Sequence, residues 1–551
     1  MVNGSPVTVA TEVGSAAAGD RQALSLLDVL RGELGLLSVK DGCSPQGQCG
    51  CCTVLVDGQP RVACVTPVRR VSDRTITTLE GLSTADRWAD AFCAAGASQC
   101  GFCTPGIIMR LEGTAARADH DDDAADDDDA ADDAVVDQAL LAHLCRCTGW
   151  QTIGEAWRYY HRPDTAPTTK RSLEAASHRA TLEGAAGQLV GPAVARGQGG
   201  FAADTAPSSA LIAVRAADGT WVVGETLAEA RAVADKVQGR RTTVGPSWPL
   251  PVPPGDWDVT LRTTWVDPAY LETDASWCEP GGLPLTATAN GGAFGGKPVH
   301  PSSAAVEIGS GLDVAGVARR LADEHDHPVL VLASREDTAR LGPKRPPVAA
   351  GMTADGRAWI RVAETQGVME AIRAGLGLVG LDSGEGAGPV RIEETSIPGP
   401  PTSSRLRAAG WAEAMILRAG AVGGAGTVRA PSGAEAEAEV DLSGPNPVIR
   451  VSVSCGNILD EIVLRSYCIG ATHMAWSWLT SESLAVDDDG VVHDLTVRSF
   501  GVLRALDTPL IEVELHPSDD EPVNGSDAVF AAVAAAGWVA KGCPQDWPIG
   551  R

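Results

Sequence analysis

Eight of the fourteen cysteines form two sets with the close spacing that is typical of metal ligands. The members of the first set are Cys43, Cys49, Cys52 and Cys64. The second set consists of two close pairs, Cys100 with Cys103 and Cys145 with Cys147. Thiols in a reducing cytosol rarely form disulfides, so this clustering indicates metal binding.

Three members of the first set lie on one Gly-rich loop, and the fourth follows a predicted β-hairpin. Plant-type [2Fe-2S] ferredoxins use a C-x4-C-x2-C…C spacing, and this chain has one extra residue in the first gap. Gly47 and Gly50 permit the backbone angles that fold a loop around a cluster. Cys51 lies inside the same C-G-C-C run and could replace a neighbouring ligand.

The second set lies at predicted helix ends. Cys100 and Cys103 precede a helix predicted to begin at Thr104-Pro105, whose N-terminal partial charge would stabilise thiolates. The other pair follows a helix predicted to end at Leu144, and two helix ends that meet can hold one cluster. A four-cysteine zinc site is the alternative for either set alone. The two sets together favour iron–sulfur, and the remaining cysteines are predicted to be buried without a metal, namely Cys93, Cys278, Cys455, Cys468 and Cys543.

A family resemblance accompanies these spacings. The segments KDGCSPQGQCGCCTVLVDG, QCGFCTPGIIM and LCRCTGW resemble the iron–sulfur part of the xanthine dehydrogenase/aldehyde oxidase family of molybdenum hydroxylases. The resemblance implies two [2Fe-2S] clusters in an α+β multidomain protein. It also implies that Gln99 and Cys147 lie near the pterin of a molybdenum cofactor. The implied order is a plant-ferredoxin-like β-grasp domain (1–82), a four-helix [2Fe-2S] domain (83–162), a linker (163–183) and a mixed α/β molybdopterin-binding region (184–551).

The second half resembles the family's molybdenum domain more weakly. In NGGAFGGK, Phe294 and Gly295 would lie against the molybdenum ligands, and in RAAGWAEA Arg407 would lie beside the metal. The segment DEPVNGSDAVFAAVAAAG resembles the one that holds the family's catalytic glutamate, which would be Glu521. The family's Gly-x-Gly-Glu is Ser-Asp-Asp-Glu here, so a solvated acid is the alternative for Glu521.

Departures from the family pattern bear on substrate and partner. Pro298 replaces an acid, and Ala371 an Arg, that bind purine in xanthine enzymes, so the resemblance disfavours xanthine and favours an aldehyde or N-heterocycle. The second half is roughly half as long as the family's molybdenum subunit. A chain that only transfers electrons, with a non-catalytic C-terminal half, is therefore the competing hypothesis. No FAD segment separates the two halves, which implies an FAD-binding partner subunit or another electron acceptor. The pterin could be a mono- or dinucleotide. The sequence is also compatible with an oligomer of this chain.

Charge and hydropathy exclude other classes of protein. The net charge of -27 argues against a nucleic-acid partner, because phosphate binding needs a basic face. Ten aspartates between Asp119 and Asp133 form a like-charge insert that we expect to be disordered and solvated. Neither a signal peptide nor a membrane span is predicted, so we expect a cytoplasmic protein.

The cysteine sets lead to the first prediction. The purified chain should be red-brown and contain about four iron ions and four acid-labile sulfides, because each set of four thiolates binds one [2Fe-2S] unit. Metal analysis and visible absorption measure this directly. A colourless protein that contains zinc would contradict the assignment.

Overall fold

The computed structural model describes residues 1–14, 21–118, 129–167, 171–235, 244–286, 291–297, 312–378 and 390–550. The chain begins with two short strands, a π-helical segment (Asp28–Glu33) and a small antiparallel sheet of order β4-β3-β5. The strands are β1 (Glu12–Gly14), β2 (Arg21–Ala23), β3 (Thr53–Val56), β4 (Gln59–Val62) and β5 (Ile76–Thr77). The tight turn between β3 and β4 is at Asp57-Gly58, where the sequence predicts a hairpin.

Four helices follow and carry the second cysteine set at their ends. They are α1 (Ala85–Ala95), α2 (Thr104–Ala118), α3 (Asp129–Leu140) and α4 (Gln151–His161). Aromatic packing joins the first and last of them, since the rings of Trp88 and Tyr160 stack with centroids 3.6 Å apart. Contacts of α3 with α4 and of α2 with α3 complete the group.

The expectation that Asp119–Asp133 is disordered and solvated throughout is wrong for its last residues. Positions 119–128 lie outside the described residues, but α3 begins at Asp129. Asp132 accepts a hydrogen bond from the indole of Trp157 (3.0 Å) and pairs with Arg162 (2.7 Å). Asp133 pairs with Arg158 at 2.5 Å. Arg158 on α4 and Arg162 directly after it therefore offset the like-charge repulsion of the aspartates and allow α3 to form.

The predicted linker 163–183 is also wrong over its second part. Helix α5 (Leu173–Gly184) occupies it, with the Ser172 side chain as N-cap. Arg179 and Glu183 form a fully buried ion pair on this helix (3.0 Å). Arg179 also donates to the carbonyl oxygens of Ile458 (3.0 Å) and Val523 (2.8 Å). The polar residues of this segment indicated a linker, because their partners lie far away in the sequence and no local pattern reveals them.

The second half contains three sheets with helices packed on them. Their strand orders are β10-β9-β11-β6-β7, β14-β13-β12-β8 and β15-β16-β17-β18. The helices are α6 (Pro192–Ala195), α7 (Ala202–Thr205), α8 (Leu227–Ala234), α9 (Val314–His325), α10 (Arg335–Leu341), α11 (Val368–Gly375), α12 (Trp411–Val422), α13 (Glu461–Thr480) and α14 (Ser526–Ala540). The strands are β6 (Leu211–Arg215), β7 (Trp221–Gly224), β8 (Val259–Arg262), β9 (Ala275–Cys278), β10 (Leu285–Thr286), β11 (Val329–Leu332), β12 (Val348–Met352), β13 (Ala358–Ala363), β14 (Val390–Thr395), β15 (Val428–Arg429), β16 (Glu435–Asp441), β17 (Val448–Ser454) and β18 (Leu510–His516).

Helix α13 is the central element of this half. It is buried over almost its whole length, packs on α14 and α5, and also contacts α1 of the N-terminal half. Among the described residues, one large hydrophobic core extends across both halves, and three smaller apolar clusters lie apart from it. Within the described ranges, no helix combines the length and the apolar character needed to cross a membrane.

The two parts of the aspartate insert should respond differently to mutation. Deletion of residues 119–128 should leave cluster absorbance and the free energy of unfolding nearly unchanged, because a self-repelling run buries no apolar surface. Changing Asp132 and Asp133 to Asn should lower the free energy of unfolding by about 0.2–1 kcal/mol for each partly exposed pair. Chemical denaturation compares the variants, and bleaching of the clusters by the deletion would show a structural role for that segment.

Candidate iron–sulfur and cofactor site

The first cysteine set converges as its spacing predicts. Cys43 and Cys49 lie on the loop before β3, Cys52 directly precedes that strand, and Cys64 follows β4 in a single helical turn. The Cys43 sulfur contacts those of Cys49 and Cys64, and the Cys64 sulfur also contacts that of Cys52. All four side chains are buried. The contacts thus run in one series from Cys49 through Cys43 and Cys64 to Cys52, with Cys43 and Cys49 adjacent at one end and Cys52 and Cys64 adjacent at the other.

Backbone amides of the loop point at these sulfurs. The N–H groups of Gln46 and Gln48 donate to the Cys43 sulfur at 3.1 and 3.5 Å. The contacts with Cys49 and Cys64, and then these amides, lower the pKa of Cys43 well below its usual range. Gly50 permits the close fold with a φ of 75°, and a Cβ there would lie 2.3 Å from the ring of His143.

The second set also meets in pairs. The sulfurs of Cys100 and Cys147 are 3.6 Å apart, and Cys103 contacts Cys145. That contact, together with the Thr148 hydroxyl 3.1 Å away, lowers the pKa of Cys145 to about 6. The pairs connect the start of α2 with the loop between α3 and α4.

The pairwise arrangement fits two-iron clusters. In a [2Fe-2S] cluster held by four cysteines, each iron is bound by two thiolates. A structural zinc ion, the alternative for either set alone, instead needs four ligands around one point. Cys51 is buried and contacts Cys49, but Cys52 is the residue that contacts Cys64. The contacts therefore favour Cys52 as the ligand and Cys51 as a neighbouring thiol.

The Gly-rich loop of the second half lies directly beside the second set. A Cβ on Gly292, whose φ is 88°, would lie 3.2 Å from the Cys147 sulfur. Phe294 is buried, and its carbonyl accepts a hydrogen bond from the Arg407 amide at 3.0 Å. A Cβ on Gly295 would lie 1.9 Å from the Arg405 carbonyl, so only glycine fits there. Asn290, the first residue of this motif, and Pro298, which follows its last residue, lie outside the described residues.

Several buried polar atoms beside Cys147 have no partner. Gln99 donates to the hydroxyl of Ser466 (3.0 Å), and Gln188 donates to the Gln99 carbonyl (2.8 Å). The side-chain oxygens of Gln99 and Gln188 and the Tyr467 hydroxyl accept or donate no hydrogen bond within the part of the chain that the structure describes. Such atoms are costly unless a ligand or water satisfies them. A pterin, which carries both donors and acceptors at its ring edge, fits this group of atoms.

Arg407 is surrounded by an aromatic ring and polar side chains. Its guanidinium carbon lies 3.9 Å from the centre of the Phe294 ring. It donates to Asp527 at 3.0 Å and to the Ser526 hydroxyl at 2.9 Å. Burial raises the pKa of Asp527, and the charge of Arg407 partly offsets that rise. The structure thus brings Gln99, Cys147, Phe294, Gly295 and Arg407 into one connected region.

Glu521 does not join this region. It is exposed in the segment between β18 and α14, where its carbonyl packs against Gly456. It does not line the small cavity of about 30 Å³ beside Phe294 and Arg407, whereas Glu482 does. The role of Glu521 as a base remains a prediction of the sequence, and the structure offers Asp527 as a closer carboxylate.

The sequence did not reveal the buried ion pair between Arg146 and Glu482. Arg146 lies between Cys145 and Cys147, and its two terminal nitrogens bind the two Glu482 oxygens at 2.5 and 2.9 Å. The partners are 336 residues apart, so no local pattern links them. An arginine between two ligands was nevertheless a signal, because a buried cation needs a partner.

Comparison with known proteins agrees with these features. A model described as a [2Fe-2S] binding domain matches residues 78–158. The nicotinate dehydrogenase small FeS subunit of Eubacterium barkeri is 40% identical over 137 residues, which are 24% of this chain and 80% of that subunit. An aldehyde oxidoreductase of Megalodesulfovibrio gigas is 41% identical over 141 residues, 25% of this chain but only 14% of that protein.

The similarity in fold extends further than the similarity in sequence. The aldehyde oxidoreductase structure from Desulfovibrio desulfuricans ATCC 27774 aligns with a TM-score of 0.61 and 14% identity, covering 98% of this chain and 96% of that one. At this identity the match establishes a mixed α/β multidomain fold. The sequence relatives, the matched [2Fe-2S] domain and the paired cysteines lead to one conclusion: the chain is an oxidoreductase of the xanthine dehydrogenase/aldehyde oxidase family of molybdenum hydroxylases.

Proposed function

We propose that this chain is a molybdenum-dependent hydroxylase of an aldehyde or N-heterocycle whose electrons leave through two [2Fe-2S] clusters. The proposal rests on the close approach of the Gly-rich loop to Cys147. A Cβ on Gly292 would lie 3.2 Å from the Cys147 sulfur. A cofactor held at this loop would lie against a ligand of the second cluster. Electrons would then pass into the cluster without crossing solvent.

The residues that would hold each group follow from the contacts described above. Cys43, Cys49, Cys52 and Cys64 would hold one cluster, and Cys100, Cys103, Cys145 and Cys147 the other. Gln99 and Cys147 would bind a pterin at its ring edge, with Phe294, Gly295 and Arg407 on the side of the metal. We place the cluster domains at 1–82 and 83–162 and the cofactor region at 184–551, with α5 packed between them rather than a free linker.

The chain's own groups would orient the substrate and move a proton. When bound, a molybdenum–pterin supplies the oxygen and the two-electron oxidation of the substrate carbon. Arg407 is fixed by Asp527 and Ser526 and keeps a positive charge over the Phe294 ring, where it can orient a polar substrate atom. A carboxylate must accept the proton released during hydroxylation. The sequence resemblance proposes Glu521 as this proton acceptor. Asp527, which contacts Arg407, is the second candidate.

The proposed substrate class rests on a missing charge at Ala371, next to the loop that carries Arg407. Ala371 lies on α11, and its Cβ is 3.0 Å from the Cβ position of Gly410 in the Arg407 loop. The family's purine-binding arginine would occupy this place, and alanine supplies no charge for an anionic purine. An aldehyde or a neutral N-heterocycle fits better than xanthine. We further propose a cytoplasmic enzyme that passes electrons to an FAD-binding partner subunit, and an oligomer is compatible with this arrangement.

One observation favours a second candidate function. The cavity beside Phe294 and Arg407 has a volume of about 30 Å³, well below the roughly 300–1,000 Å³ of ordinary ligand pockets. So small a cavity leaves little space for a substrate beside Arg407. This favours an electron-transfer subunit whose C-terminal half is structural. In that case a partner chain would perform the oxidation.

Metal analysis and turnover decide between the two functions. The catalytic hypothesis predicts about one molybdenum per chain in addition to iron. It also predicts that the chain oxidises an aromatic aldehyde when an artificial electron acceptor is present. Changing the true proton acceptor to its amide should lower turnover by about 10²–10⁴ without loss of molybdenum, because the residue is not a ligand. Glu521→Gln and Asp527→Asn, compared side by side, show which of the two it is.

The control is Glu512→Gln, which removes an exposed carboxylate on β18. Its turnover should equal that of the unmodified chain. If neither amide variant loses activity, both assignments of the base are wrong. An iron-replete chain that binds no molybdenum and oxidises no aldehyde would establish the electron-transfer function instead.

A further inference from the structure

The two cysteine sets lie next to arginines with different electrostatic surroundings. Arg146 belongs to the loop of the second set, and Glu482 binds it at 2.5 and 2.9 Å in a buried ion pair. Because the two charges cancel, this pair contributes little net potential at Cys145 and Cys147. Arg146 and Glu482 have relative side-chain exposures of only 5% and 1%, so water does not separate their charges.

The first set lies next to Arg498, which reaches it from the C-terminal half. Its Nε donates to the Gln48 carbonyl at 2.9 Å, and one terminal nitrogen donates to the Leu141 carbonyl at 3.0 Å. Its backbone amide donates to the Gln48 side chain at 3.4 Å. Gln48 directly precedes Cys49, so the guanidinium is fixed against the ligand loop.

Arg498 has no compensating carboxylate. It forms no ion pair within the described ranges of the chain, and its side-chain partners are neutral carbonyls. When ionised, the thiols of Cys49 and Cys43 attract the guanidinium, and a second cation, Arg504, repels it. Arg498 is also half-buried, where a charge is screened less than at the surface. Arg498 therefore places a cation without a paired carboxylate beside Cys49, while the other charged side chains that bond to this loop include one of each sign, Glu336 at Gln46 (3.0 Å) and Arg335 at the Gly42 carbonyl (2.7 Å).

We propose that Arg498 is a positioning residue that makes the cluster at Cys43, Cys49, Cys52 and Cys64 the easier one to reduce. A cluster becomes more negative by one charge when it takes up an electron, and Arg498 stabilises that state. One electron leaves the cluster at Cys100, Cys103, Cys145 and Cys147, which is oxidised, and reduces the other. A short route exists, since the Leu144 amide, next to Cys145, donates to the Cys49 carbonyl at 3.0 Å.

The test is a redox titration of the full chain after dithionite reduction, with the two clusters resolved by electron paramagnetic resonance. In Arg498→Gln the equilibrium constant for reduction of the first cluster should fall about tenfold, which corresponds to about 59 mV for one electron. The second cluster should titrate almost as before. Arg498→Lys keeps the positive charge, so the first cluster should remain easier to reduce than the second by most of the original difference.

A second variant tests the same electrostatic argument with the opposite sign. Glu482→Gln leaves the charge of Arg146 uncancelled, so the second cluster should become easier to reduce. The matched control is Arg429→Gln, which removes a side chain that is 72% exposed and should shift neither cluster. Iron content is measured for every variant.

The possible outcomes separate this proposal from the cluster assignment on which it rests. An unmodified chain without iron would refute the clusters themselves. Iron-replete Arg498→Gln with an unchanged titration would refute the role of Arg498 alone. Loss of iron in both the Gln and Lys variants would show that Arg498 only holds the loop, and would equally overturn the proposal. None of these measurements requires substrate or molybdenum.

Discussion

The ion pair between Arg146 and Glu482 is the interaction on which the arrangement of the two halves depends. Burying two charges costs several kcal/mol per ion, and only a closely matched pair recovers that cost. The planar guanidinium meets both carboxylate oxygens, which fixes direction as well as distance. Because Arg146 lies between two cluster ligands, the same contact fixes the ligand loop against the C-terminal half.

Other arginines repeat this arrangement around the cysteine sets. Arg335 donates to the carbonyls of Gly42 (2.7 Å) and Leu271 (2.9 Å), and so joins the residue before Cys43 to the second half. Arg171 binds Asp460 through two bonds of 2.9 Å. The halves therefore meet through directional bonds to fixed carbonyls and carboxylates. Apolar contact alone would permit sliding, and an electron route tolerates little change in distance.

The sequence predicted what local spacing can encode. Gly47 and Gly50 adopt the positive φ expected of a ligand loop, and the hairpin after Cys52 is present. Local spacing cannot predict pairings between distant segments, such as Gln99 with Ser466, which are 367 residues apart. The predicted linker failed for the same reason, since the partners of Arg179 lie hundreds of residues further on. Glu521 was placed by resemblance in a segment whose neighbours here differ from the family pattern, and its side chain faces solvent.

Helix α13 explains how a shortened second half can still receive the cluster domain. A Cβ on Gly470 would lie 1.8 Å from the Cys147 carbonyl, so the helix approaches the ligand loop as closely as backbones allow. One turn earlier, Ser466 binds Gln99 and also donates to the Gly96 carbonyl at 2.7 Å. Residues four apart share a helix face, so one face of α13 contacts the whole edge of the second cysteine set. Met474, four residues after Gly470 on the same face, contacts the Arg407 guanidinium through its sulfur at 3.3 Å, and the first residues of α14 also hold Arg407. One face of α13 thus sets the position of Arg407 relative to Cys147, and segments outside these contacts can shorten without changing it.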